Sequence, residues 1–156
     1  MGKRILDFAD GFSSASNPTA VDIGLVYDAV IAPASNSLST HETWDAYLAD
    51  APVAGDRIAV IGNHSLATTV VLSLDDLQVF HWPGVEYSGA AGIAFQVTGD
   101  RLKWNGGRFS SFTTAMQLDN PAQFSMLRDM WFNGCTNNVL DNGILTSEVG
   151  NINETP

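Results

Sequence analysis

From Arg57 to Leu140 the hydrophobic positions come in short runs, each closed by a turn signal, and the runs recur in the same order about every 22–25 residues. Leu77-Gln78-Val79-Phe80, Leu102-Lys103-Trp104 and Phe124-Ser125-Met126-Leu127 align as one strand. A second bulky position follows at Val85, Phe109 and Phe132. A third strand follows at Ile93–Val97, Ala115–Leu118 and Asn138–Leu140. Ile58–Ile61 and Thr68–Leu72 form an earlier, partial copy, and Gly55-Asp56-Arg57 recurs as Gly99-Asp100-Arg101. The separators are Gly62-Asn63, Pro83-Gly84, Asn105-Gly106-Gly107, Asn120-Pro121, Asn133-Gly134 and Asn142-Gly143, residues that turn the backbone for known steric reasons. Strand groups that repeat in order, rather than in antiparallel pairs, predict a parallel β-solenoid in which each turn buries its apolar side on the next. A sandwich or meander with a hairpin every 8–12 residues or so is the rival arrangement.

The flanks read differently. Residues 1–38 are rich in Ser, Ala, Asn, Asp and Pro, with isolated anchors that include Phe8, Phe12, Leu25 and Tyr27. The pattern predicts an extended arm that orders by packing on a partner. Residues 39–52 predict a capping helix. Ser39 and Glu42 have capping-box spacing, Trp44, Tyr47 and Leu48 form one apolar stripe, and Pro52 forbids continuation. Such a helix would cover the open end of the first turn. The solenoid is then assigned to residues 53–145. Residues 146–156 are a polar tail or a short segment that closes the last turn.

Composition narrows the function. The chain of 156 residues fits one domain, and 45% hydrophobic residues with eight Phe, four Trp and three Tyr supply a core. A net charge of −10, with seven basic residues scattered along the sequence, argues against nucleic acid and against an anionic membrane surface. Cys135 is alone, so no disulfide forms within the chain, and its expected role is that of a small buried residue. No secretory leader and no apolar run near ~18 residues is present, so no membrane span is expected.

Catalytic signatures are thin. His41, His64 and His81 lack ligand-like spacing, so no metal and no cofactor is expected. His41 is read as a solvated residue of the first helical turn, His64 as a turn residue, and His81 as packed or on the surface. Asp75, Asp76, Glu86, Asp100, Asp119 and Asp129 are available for glycoside chemistry, which needs two carboxyls about 5–9.5 Å apart. Asp76 with Asp100, or Asp100 with Glu86, are the pairs that stacking would bring together. Beside turns, however, Asp ordinarily caps backbone amides. Asn105-Gly106-Gly107-Arg108 lacks the Lys-Ser/Thr of a phosphate loop and reads as a tight corner. Trp82, Trp104 and Trp131 share a spacing that places them on one face, as a buried stack, a subunit contact or a sugar platform.

Gly55-Asp56-Arg57-Ile58-Ala59-Val60, Val85 and Leu102-Lys103-Trp104-Asn105-Gly106-Gly107-Arg108-Phe109, preceded by the 39–50 helix, resemble the β-helix segments of bacteriophage tailspikes and fibres. Lys3–Phe12 also looks like the start of a phage virion protein. The resemblance covers roughly residues 40–145, and its motifs are shared with pectin-lyase-like enzymes. It implies a trimeric virion protein. Independently, a solenoid of few turns is marginal alone, and subunit contacts would supply missing core. Spikes and fibres usually carry many more turns, which favours a capsid decoration (cement) protein. The resulting expectation is an all-β protein: a short right-handed parallel β-helix of three to four rungs, helix-capped and trimeric. It would be non-enzymatic and located in the virion. Its partners would be its own copies and the major capsid protein or a tail component. Phe8, Phe12, Leu25 and Tyr27 are expected to anchor the arm, and Trp104 and Trp131 to make trimer or rung contacts. The alternatives are a tail fibre, tailspike or tail adaptor that contacts host glycans, and a small β-helix polysaccharide depolymerase.

Overall fold

The computed structural model describes residues 27–154. They form a parallel β-solenoid of about four turns whose walls are three sheets. The order of the fifteen strands shows how it winds. Each full turn contributes one strand to each wall before the chain steps to the next level.

Sheet A has six strands: β1 (Ala29–Ile31), β2 (Arg57–Val60), β5 (Gln78–His81), β8 (Lys103–Asn105), β11 (Met126–Arg128) and β14 (Ser147–Val149). Sheet B has five: β3 (His64–Leu66), β6 (Glu86–Gly89), β9 (Arg108–Ser110), β12 (Trp131–Asn133) and β15 (Ile152–Glu154). Sheet C has four: β4 (Val70–Leu72), β7 (Ile93–Val97), β10 (Thr114–Leu118) and β13 (Asn137–Asp141). Every strand pairing is parallel, which is what distinguishes the solenoid from a sandwich of hairpins.

Short strands suffice because alternation serves each wall. In β8, Trp104 points in between exposed Lys103 and Asn105. In β9, Phe109 points in between Arg108 and Ser110. The inward column of sheet A is Ile58, Val79, Trp104 and Leu127; that of sheet B is His64, Tyr87, Phe109 and Phe132. Tyr87 stacks on Phe109 at 5.1 Å and Phe109 on Phe132 at 5.7 Å, so one column of rings runs along the axis. Phe95 of sheet C meets Trp104 edge-on at 4.8 Å, a geometry favoured by ring quadrupoles.

The register corrects three alignments. Tyr87, not Val85, is the counterpart of Phe109 and Phe132. The two Gly-Asp-Arg tripeptides are not equivalent, because Arg57 sits level with Gln78 and Lys103, whereas Arg101 sits level with Asp76. In the fourth strand of the first repeat column, Met126 pairs with Lys103. Ser125 therefore takes the inward place of Leu77 and Leu102, and Phe124 is left outside.

The helix is shorter than its sequence pattern. α1 spans Trp44–Ala49, and its N-cap is Thr43, whose hydroxyl accepts from the Ala46 amide at 3.1 Å; Ser39 is not the cap. Residues 39–41 are withheld from the helix because they cover β1. The Ala32 amide donates to the His41 carbonyl, the His41 amide to the Val30 carbonyl, and the Thr40 hydroxyl oxygen accepts from the Val30 amide. The Ser39 hydroxyl donates to the Ala32 and His41 carbonyls. The end of sheet A is thereby closed by hydrogen bonds rather than left as a bare edge. Trp44 and Tyr47 then plug the interior: Trp44 stacks on Trp104 at 5.9 Å and meets Phe95 at 5.2 Å.

The expected boundaries shift accordingly. β1 falls within the segment assigned to the arm, so the solenoid begins before the helix, and Phe8, Phe12 and Leu25 lie outside the described residues. The segment after 145 closes the last turn through β14 and β15.

Candidate interaction site

The chemically active side chains are mostly committed to holding turns together. At the corner leading into sheet A, Asp75 Oδ1 accepts from the Asp100 amide at 2.8 Å, and Asp100 Oδ1 accepts from the Gln123 amide at 2.9 Å. Each carboxylate caps the turn that follows it. Asp76 faces Arg101 rather than Asp100 and receives two guanidinium hydrogen bonds, at 2.7 and 2.8 Å. Those bonds hold its carboxyl below the ordinary value. Glu86 stands on a different wall and accepts from the Ser110 hydroxyl. Asp119 accepts from Gln96 and Gln117, which lower its pKa.

The histidines are structural neighbours of the core. His41 lies outside the helix, with Nε2 at 3.1 Å from Asp50. His64 opens β3, is buried, and donates from Nε2 to the Ile61 carbonyl at 3.2 Å; burial lowers its pKa. His81 Nδ1 is 2.7 Å from the Asn105 carbonyl, which can only accept, so the proton sits on Nδ1. Nε2 therefore accepts from the Tyr87 hydroxyl, also at 2.7 Å. Burial pushes the His81 pKa down to about 4. Cys135 is half-buried with Sγ at 3.6 Å from the Phe109 carbonyl, and burial raises its thiol pKa. Among the described residues no group of three or more His, Cys, Asp or Glu is placed to hold a metal ion, and no helix is long and apolar enough to cross a membrane.

Two features of shape stand out on the outside of the described residues. The first is a ridge. Two residues before β5, β8, β11 and β14, register aligns Asp76, Arg101, Phe124 and Leu145 one above another, and all four adopt the left-handed backbone conformation, with φ of 61°, 58°, 57° and 60°. The column is polar in its upper turns, where Asp76 and Arg101 pair, and apolar in its lower turns. Phe124 is 55% exposed and Leu145 is 68% exposed, with Ile144, Met126 and Val149 also exposed around them. The Phe124 amide donates to the Ile144 carbonyl at 2.9 Å, so the two bulky residues are neighbours across one hydrogen-bonded step.

The second is a notch at the corner between sheets A and B. After β8 and β11 this corner is made by two residues, Gly106-Gly107 and Asp129-Met130; after β5 it is made by Trp82-Pro83-Gly84-Val85. The longer corner overhangs the shorter one beneath it. Gly106 and Gly107, at φ of 87° and 90°, keep the middle level down to bare backbone. A Cβ on Gly107 would stand 3.3 Å from the His81 ring, a tight contact that adds to the preference for glycine set by its left-handed backbone. Trp82 above and Trp131 below are 45% and 43% exposed. The notch encloses about 390 Å³ and is also lined by Glu86, Arg108 and Asp129.

Trp104 lies in the interior stack, whereas Trp131 stands on the outer face of sheet B. Tyr27 is half-buried on the outer face of sheet A, its ring 5.9 Å from that of Phe80. Sequence reasoning missed the ridge, since it aligned Phe124 with Leu77 and Leu102, whose level the register gives to Ser125. Glycine pairs at 106–107 beneath a Trp-Pro-Gly corner were the available signal for the notch.

No family model matches the chain, and no curated protein or solved structure matches it.

Proposed function

We propose that the chain is a structural subunit of a bacteriophage virion, a trimeric capsid decoration (cement) protein that strengthens the shell and carries no catalytic activity. Two different supports stand behind this reading. The virion setting rests on the resemblance of the repeat to phage β-helix segments. The assembly role rests on one structural observation: the Phe124–Leu145 ridge.

A phenylalanine and a leucine are poor residues for left-handed backbone, where their side chains crowd the following carbonyl at a cost of roughly 1–2 kcal/mol each. Both are also largely exposed, which forgoes burial of the kind worth about 1.5–3 kcal/mol per large apolar side chain. Glycine or asparagine would serve the corner better in an isolated subunit. Strain of this kind at an exposed apolar position is accounted for by a contact that buries it. A ridge on one edge of a three-walled prism meets its own copies along a symmetry axis, and an apolar contact is the kind that tolerates three chains of net charge −10 each. The shell would be engaged by the N-terminal segment, of which Phe8, Phe12 and Leu25 are outside the described residues.

Immunogold labelling of virions from the phage that encodes the chain tests the setting. Label distributed over the capsid is expected. Label confined to the tail would replace the decoration reading with the tail-component one, and virions that take no label would overturn both.

A further inference from the structure

We propose that the notch between Trp82 and Trp131 binds a ring of a neutral saccharide. This inference goes beyond the structural role and holds wherever on the virion the subunit sits.

Shape is the first argument. Strand levels in a solenoid are about 4.8 Å apart, and Trp82 in the corner after β5 and Trp131 at the start of β12 lie two levels apart, with Gly106-Gly107 on the level between them. The gap between the two levels is therefore on the order of 10 Å along the solenoid axis. It is walled by two indoles and floored by glycine backbone, and its volume of about 390 Å³ falls in the usual range for small-ligand sites, roughly 300–1,000 Å³. Two exposed tryptophans on the two rims of one recess offer flat apolar faces to a ligand of ring size.

The polar groups select the ligand. On the outer ladder of sheet B, Arg108 stands level with Glu86 on one side and with Trp131 on the other. Asp129 lines the same recess, and His81 at its back is neutral, its Nδ1 proton held by the Asn105 carbonyl. A pyranose presents an apolar C–H face for the indoles. Its rim of hydroxyls both donates, to Glu86 and Asp129, and accepts, from Arg108. The competing chemistries fit less well. A phosphate, sulfate or nucleic acid strand meets two carboxylates on a chain of net charge −10. A cationic ligand would need the level between Glu86 and Trp131, which the chain's own Arg108 already holds.

The test is a fluorescence titration and saturation-transfer NMR of the full chain with cellopentaose, chitopentaose and maltopentaose, alongside colominic acid as anionic probe and tetramethylammonium as cationic probe. Two of the four tryptophans, Trp44 and Trp104, are buried, so a ligand in the notch shields only the exposed pair from a neutral quencher. Saturable binding of at least one neutral sugar is expected, weakened about tenfold or more by Trp82→Ala and by Trp131→Ala. Both side chains are on the surface, so circular dichroism and melting temperature should stay unchanged in these variants. The proposal is overturned if no neutral sugar binds up to roughly 10 mM, a very weak affinity. It is equally overturned if only a charged probe binds, or if both variants bind as the wild type does.

Discussion

Phe124 and Ser125 exchange the places that their chemistry would assign them. The serine is buried with its hydroxyl unpartnered, and the phenylalanine is outside in left-handed backbone. Both features lower the stability of the isolated chain, and both are open to test. Ser125→Ala removes a buried hydroxyl without a partner and should stabilise the protein by about 1 kcal/mol in urea denaturation. Phe124→Asn relieves the backbone at no loss of interior packing, so it should raise the stability of the monomer by about 1 kcal/mol while dissolving the proposed trimer. Opposite signs for folding and for association are the signature of a residue kept for contact; a variant that loses both would place Phe124 in the fold instead. At the plugged end, the Tyr47 hydroxyl donates to the buried Asp56 carboxylate at 2.8 Å, and burial, with that bond second, pushes the phenol pKa up. Tyr47→Phe leaves Asp56 with the Val53 amide as its remaining partner, at 3.0 Å. The expected loss is about 1–3 kcal/mol, read as a lower urea midpoint.

At the scale of the strands, the two histidines that face the core set a pH window. His81 has an ordinary value of 6.5 and is held down to about 4 by burial; His64 is lowered in the same direction and for the same reason. Between those values the unfolded chain takes up a proton that the folded chain refuses, so stability is complete above pH 6.5 and falls as pH drops toward 4. The carboxylates lowered by Arg57, Arg101 and the glutamine ladder, Asp28, Asp76 and Asp119, act in a separate window, since their stabilisation is lost only as pH falls below their ordinary value of 3.8. Melting temperature measured from pH 7 to 3 should therefore fall in two stages, and His81→Gln should flatten the first one. A first stage unchanged in that variant would remove His81 from the account.

The same scale shows how much could be read in advance. Strand order and the parallel repeat were legible because alternation of apolar and polar residues and the spacing of turns are local signals. Register was not. Val85 and Phe109 looked alike as bulky residues after a turn, but the stretch between Phe80 and Glu86 is three residues longer than that between their register partners Asn105 and Arg108, which moves Tyr87 into the ring column. The helix cap was misplaced because Ser39 has the right spacing from Glu42, while its hydroxyl is drawn to two carbonyls on the edge of β1, a tertiary demand invisible to a local pattern. The notch escaped for the same reason: Trp82 and Trp131 are 49 positions apart and meet only through the register of three levels.

As a whole, the molecule is a prism with one end closed by α1 and by the strand-edge hydrogen bonds of residues 39–41, and with most of the exposed large apolar residues among those described lying in its last two turns. That asymmetry suits the proposed trimer: a finished end that resists further strand pairing and an exposed apolar ridge for its copies to cover. The most direct test of the central claim is the mass of the untagged protein in solution by light scattering, compared with that of the Phe124→Asn, Leu145→Asn double variant. The account predicts a wild-type particle of about three times the 16.7 kDa chain mass and a folded monomer for the variant. A wild-type protein that runs as a folded monomer, or a variant that remains a trimer, would contradict it.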